Sequence, residues 1–255
     1  MVSPVQLIQS LEDNSMALLD EALRDARANG GPALRAVPDT ELQVALYSML
    51  TRVLDLLRER LSPGDKEPTT NDARSIYVAA VRDLMNFVDG QSSYTEGHTR
   101  AVVRHVVKMA ALLGLSDAEI SELETAAWIH NIGLINQPPK LASLPRTLTE
   151  AEMRQARNHA VVGAEMLRPI SFLAHLVPIV RFHHARFDGQ GGRGEPGGED
   201  IPLGARLICV ADAYQAMLEP RAYRAALSRD EALLEIDRAA NAQFDPKLVP
   251  LVHEL

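Results

Sequence analysis

The chain has 255 residues, 46% of them hydrophobic, with a formal net charge of −8 and a single cysteine. That length and apolar content allow a sizeable buried core and exclude a disordered chain, and the acidic balance argues against a nucleic-acid polymer as partner, a local basic pocket apart. No apolar run approaches the roughly eighteen residues of a membrane span, Met1 to Leu11 lack the pattern of a secretory leader, and the lone Cys209, inside Arg206-Leu207-Ile208-Cys209-Val210, suits a reducing cytoplasm and a small core residue.

In chain order, Val5, Ile8, Leu11, Leu18, Leu19 and Leu23 recur at helical spacing after Ser3-Pro4, and Gly30-Gly31-Pro32 ends that segment. A second helix is predicted after Asp39, with Leu42, Leu46, Met49, Val53, Leu56 and Leu57 on one face and Ser62-Pro63-Gly64-Asp65 as its stop. Two such helices cannot bury both apolar faces alone, so they are expected to dock on the rest of the chain or to pair with a second copy as a homodimer. The polar run Lys66-Glu67-Pro68-Thr69-Thr70 reads as a linker. It separates an N-terminal helical region, 1–70, of no assigned role from a domain over 71–255.

A third helix is predicted over 72–88. Further on, Ser116-x-x-Glu119, Thr149-x-x-Glu152 and Ser228-x-x-Glu231 each read as a capping box, in which two side chains satisfy backbone donors at a helix start. Pro178 would break a continuous helix and fits the first turn of a short new one carrying His183 and His184. Leu207 to Val210 has strand-like composition, but Ala211 to Leu218 continues as a helix. The predicted class is all-α.

The histidines carry the chemistry. His98 opens a helix with Val102, Val103, Val106 and Val107 in the core, and His105, seven residues on, is its nearest rival as a ligand. His130 ends the apolar stretch Ala126-Ala127-Trp128-Ile129, an expensive place for an unpaired polar ring. His159 is expected inside a helix beginning near Thr149, followed by the pair His183-His184. His175 and His253 read as structural or surface residues. Any one of these rings is best explained as a satisfied core or surface histidine. The ordered set, completed by the carboxylate of Asp212, makes a first shell suited to Fe, Mn or Zn.

From Tyr94 onwards the chain resembles the HD-GYP family, the bacterial branch of the HD phosphohydrolases that hydrolyses cyclic di-GMP. The resemblance rests on Gly97-His98-Thr99, His130-Asn131-Ile132-Gly133, His159-x-x-x-Gly163 and His183-His184-x-Arg186-Phe187-Asp188-Gly189. It continues through Ile201-Pro202-Leu203-x-Ala205-Arg206, Val210-Ala211-Asp212-Ala213-Tyr214, Arg221-x-Tyr223-Arg224 and Gln243-Phe244-Asp245-Pro246. It implies an HD-type helical bundle holding two or three divalent ions, with His98, His130, position 131, His159, His183, His184 and Asp212 as ligands. Asn131 and Asp212 are then the catalytic positions, and Arg186, Arg193, Arg221 and Arg224 are candidates to meet the phosphates of a cyclic dinucleotide.

The departures from that pattern concentrate at the site. Asn131 replaces a bridging aspartate, removing a negative charge between two cations and leaving one good ligand oxygen where a carboxylate offers two. Leu134 and Leu144 stand where lysines are usual, Gly191-Gly192-Arg193 stands for Gly-Tyr-Pro, Ala185 follows the histidine pair, and Gln215 replaces a second aspartate. The leading expectation is a degenerate member with one ion or none, acting in cyclic di-GMP signalling through ligand or protein binding with lost or weakened hydrolysis. The alternatives are an active metal-dependent phosphodiesterase and a purely structural helical module.

Overall fold

The computed structural model describes residues 97–136, 144, 146–192, 194–221 and 224–255, together with 78–83, 85–86 and a few isolated positions nearer the N-terminus. The two helices expected within 1–70 and the linker at 66–70 lie outside the described residues, as does Arg193. Of the helix expected over 72–88, residues 78–83 and 85–86 are helical.

Eight α-helices follow in the described part: α1 (His98–Leu112), α2 (Asp117–Ile129), α3 (Glu150–Arg157), α4 (His159–Leu167), α5 (Val177–Phe182), α6 (Leu203–Leu218), α7 (Arg229–Arg238) and α8 (Val249–Val252). A 3₁₀ turn, Ile132–Asn136, follows α2, and another, Ser171–Leu176, leads into α5. Two isolated bridges, Arg221 to Arg224 and Ala240 to Phe244, are the only extended pairing among the described residues. The expected all-α class holds, and the Leu207–Val210 run is interior to α6.

All three capping boxes form with both halves present, at Ser116, Thr149 and Ser228. Each satisfies donors that a helix start leaves orphaned. Pro178 sits in the first turn of α5, where its missing N–H costs nothing. Two expectations need correction. α5 ends at Phe182, so His183 is its C-cap and His184 lies beyond it. The helix from Thr149 stops at Arg157, and His159 is the first residue of α4 rather than an interior one.

The core forms around α6, which buries Leu207, Ile208, Cys209, Val210, Ala211 and Tyr214. α1 packs on α2 and α6, α4 on α5 and on the 132–136 turn, and α7 and α8 close the far side of α6. Burial pushes the Cys209 thiol up to about 12, which keeps it a neutral core residue. Among the described residues no helix is long and apolar enough to cross a membrane.

Two other stretches of the resemblance have structural work. Arg206 donates to Asp245 Oδ2 at 2.5 Å and to the Ile201 carbonyl at 2.9 Å, and Asp245, only 2% exposed, also accepts from the Lys247 amide. Phe187 and Asp188 donate their backbone N–H groups to Gln243 and Ala242, so the C-terminal segment props the loop after the histidine pair.

Gly133 makes the tightest approach. A Cβ there would lie 2.1 Å from the His159 carbonyl oxygen and 2.7 Å from the Gly163 amide nitrogen. Both are backbone atoms that cannot rotate away. Gly133→Ala is expected to destabilise the protein by at least ~1–3 kcal/mol, as overpacking does, against about 1 kcal/mol for the cap deletion Ser228→Ala. Thermal unfolding followed by circular dichroism checks this; a Gly133→Ala melting point equal to that of the unaltered protein would show that the two segments do not pack this closely.

Candidate metal centre

Helix ends position the histidines. His130 caps α2, His159 starts α4 directly after α3, and His183 caps α5. In each case the ring turns back on the helix just finished. Nδ1 of His130 donates to the Ala127 carbonyl at 2.6 Å, that of His159 to Ala156 at 2.7 Å, and that of His183 to Val180 at 2.8 Å. These carbonyls belong to the last turn of their helices, where a side chain can take over as donor. A carbonyl can only accept, so all three rings carry their proton on Nδ1 and present an Nε2 lone pair inward.

The lone pairs converge. His159 Nε2 lies 3.1 Å from His183 Nε2 and 3.2 Å from His184 Nε2, and one ring nitrogen from each of the three lies within 4.8 Å of the others. Burial, with the neighbouring imidazoles adding to it at His183 and His184, lowers His159 to about 4, His184 to about 3 and His183 well below its usual value. The rings are therefore neutral near pH 7. With both Nδ1 protons committed, the His159–His183 contact sets two acceptors face to face, a repulsive arrangement that a cation between them removes. His130 Nε2 is fully buried with no hydrogen-bond partner and lies 3.9 Å from Asp212 Oδ1. An unpartnered buried nitrogen beside a cluster of neutral imidazoles is the chemistry of a divalent-metal site.

The other side of the site is carboxylate-rich. His98, the first residue of α1, places Nε2 2.8 Å from Asp212 Oδ1 on α6 and Nδ1 2.9 Å from Glu219 Oε2 at the end of α6. Burial works against charge on His98, but the bonds to Asp212 and Glu219 outweigh it and raise its pKa to about 10. Asp212 is held well below the usual carboxylate range: burial opposes this, and the bond from His98 at 2.8 Å overcomes it. Asn131 is buried, 6% exposed, directly after His130.

The structure thus brings His159, His183 and His184 into one group and His98, His130 and Asp212 into a second beside it. His105 joins neither; its Nε2 bonds Gln215 Oε1 at 3.0 Å. His175 and His253 pair with Glu122 and Asp237 on the surface. Arg186 is turned onto Asp188 through two bonds of 3.0 and 2.6 Å, and Arg224 onto the carbonyls of Ala216, Met217 and Ala225. Arg221 reaches Glu219 at 3.1 Å and so lies one residue away from His98. Leu134 and Leu144 are half-buried and bring no charge.

Sequence reasoning missed Glu219. Its signal was available: it lies seven residues after Asp212 on the same helix face, with Gln215 between them donating to Glu219 Oε1 at 2.8 Å.

The trio fits one divalent cation. For a second, Asn131 brings an amide oxygen and no charge. Elemental analysis of protein purified without chelator is expected to find about one ion per chain, lost in His183→Ala and raised by Asn131→Asp. Two or more tightly held ions in the unaltered protein would overturn this.

Comparison with known proteins bears on the same region. Residues 83–248 match the HD domain family. The chain is 28% identical over 235 residues to a 3'3'-cGAMP-specific phosphodiesterase 3 of Vibrio cholerae serotype O1, covering 90% of this chain and 51% of that one. It is 36% identical over 174 residues to the cyclic di-GMP phosphodiesterase response regulator RpfG of Xanthomonas campestris pv. campestris, covering 66% and 46%. A cyclic di-GMP phosphodiesterase of Vibrio cholerae serotype O1 is 30% identical over 236 residues, covering 85% and 48%. The chain spans about half the length of these relatives. In fold it is similar to Bd1817, an HDG"Y"P protein of Bdellovibrio bacteriovorus, with a TM-score of 0.57 at 14% identity over 96% of this chain and 80% of that one.

Proposed function

The chain belongs to the HD domain family, and on that premise we propose that it binds a cyclic dinucleotide of the cyclic di-GMP type and hydrolyses it weakly or not at all. Its output in bacterial signalling then runs through ligand binding and contact with a partner protein. The observation that carries this reading is the unequal state of the two halves of the site. His159, His183 and His184 converge as a complete imidazole set, while the neighbouring position keeps His98, His130 and Asp212 but has an amide at Asn131.

His159, His183 and His184 would hold one ion, Fe or Mn by the family resemblance. A bound divalent ion supplies Lewis-acid polarisation of a phosphoryl oxygen. The chain's own residues orient the site around it: Ala127, Ala156 and Val180 fix three ring orientations, and Glu219 fixes His98. Loss of a preorganised charge at such a centre costs about 3–4 kcal/mol, roughly a hundredfold to a thousandfold in rate. Leu134 and Leu144 add no cation for the phosphate.

A second reading, a working phosphodiesterase, is favoured by one observation: His98, His130 and Asp212 remain gathered around Asp212 Oδ1, at 2.8 and 3.9 Å. A purely structural module is disfavoured by the buried, unpartnered His130 Nε2, which costs stability without return.

Turnover separates the first two. With added Mn or Fe(II), purified protein is expected to hydrolyse cyclic di-GMP about a hundredfold to a thousandfold more slowly than a family member with the intact aspartate assayed alongside, while calorimetry still registers binding. Comparable turnover, abolished by His130→Ala and by His183→Ala, would move the assignment to the second reading.

A further inference from the structure

A groove opens against the outer side of His184, between the end of α3, the start of α4 and the last turn of α5. Arg157, Ala160, Arg181, Phe182 and His184 line it, with Gly191 and Glu195 on the loop wall. Arg157 is the last residue of α3 and half-buried; Arg181 is exposed in the last turn of α5.

The two arginines differ from the other arginines around this site. Arg186, Arg206 and Arg221 are each paired with a carboxylate, Asp188, Asp245 and Glu219 respectively. Among the described residues neither Arg157 nor Arg181 has a carboxylate within ion-pair distance. The Arg181 guanidinium lies 5.9 Å from the Phe182 ring centroid, an interaction that orients it and leaves its donors free. Two guanidinium groups in one groove, without a carboxylate partner among the described residues, form a local positive site in a chain of net charge −8.

Resting on the cyclic-dinucleotide reading above, we propose that Arg157 and Arg181 form an anion subsite that seats a phosphate of the nucleotide beside His184. Guanidinium groups bind phosphate oxygens through paired, charge-assisted donors, and a lysine would not replace them at equal strength. The subsite supplies the positive charge that Leu134 and Leu144 do not, from two different helices. Glu195 enters from the opposite wall and is exposed. Its charge repels a phosphate from that side, so the phosphate lies toward His184 and the two arginines.

The test uses the full chain with Arg157→Gln, Arg181→Gln, the double substitution, and Arg154→Gln as control, since Arg154 is exposed and pairs with Glu150 outside the groove. Each protein is titrated by calorimetry with cyclic di-GMP and, separately, with inorganic pyrophosphate, and its thermal melt is compared with that of the unaltered protein. Each groove substitution is expected to weaken cyclic di-GMP binding by at least about tenfold, as loss of a charged hydrogen bond does, with melts unchanged and Arg154→Gln silent. The double variant is expected to show a shallower salt dependence. Equal affinity in the double variant would overturn the subsite while leaving the nucleotide reading intact. Pyrophosphate binding that the double variant loses, with no cyclic di-GMP binding in any protein, would sustain the subsite and overturn the nucleotide reading. No binding of either probe by the unaltered protein would overturn both.

Discussion

At the centre of the bundle two buried imidazoles turn their unprotonated nitrogens toward each other at 3.1 Å, with a third ring nitrogen 3.2 Å from one of them. Left alone, this contact is unfavourable, because burial denies the rings the charge that would let one donate to the other. Its geometry is nonetheless fixed from outside. His159 and His183 are anchored by carbonyls in the last turns of α3 and α5, so the rings can part only by giving up those bonds. The arrangement of α3, α4 and α5 is thus organised around a position that favours a cation.

The carboxylate side follows a different logic. Asn131 brings no charge next to His130, and Glu219 sets a negative charge against His98. Glu219 touches Nδ1 of His98, on the face opposite the Nε2 that meets Asp212. A carboxylate there tightens the hold on the ring without offering oxygen to the centre of the site. Gln215 continues the same chain of bonds, linking Glu219 to His105. A network that elsewhere could carry acidic ligands here reads as a brace behind one histidine.

Much of the local architecture was legible in the sequence because its causes are local. The three capping boxes depend on residues three apart and formed as read, and the placement of Pro178 follows from its missing N–H. The helix expected to run through His159 breaks at Asn158, where the His159 ring bonds the Ala156 carbonyl, a contact that hydrophobic periodicity does not record. The juxtaposition of His98 with Asp212, 114 residues apart, was available only through family resemblance. Glu219 had a helical-spacing signal that went unused. Arg157 and Arg181 had none, since they meet only because α3 and α5 both end beside His184.

Gly133 stands two residues from Asn131 in the same short motif, yet the two positions answer to different demands. A side chain at 133 would collide with the backbone of His159 and Gly163, so packing alone forbids it whether or not any substrate is ever turned over. On the proposed reading the chemistry asks for a carboxylate at 131, and the near-isosteric amide meets no steric penalty there. Packing holds the glycine, and whatever the site binds holds the residue at 131, so likeness over the whole motif reports architecture more directly than it reports reaction.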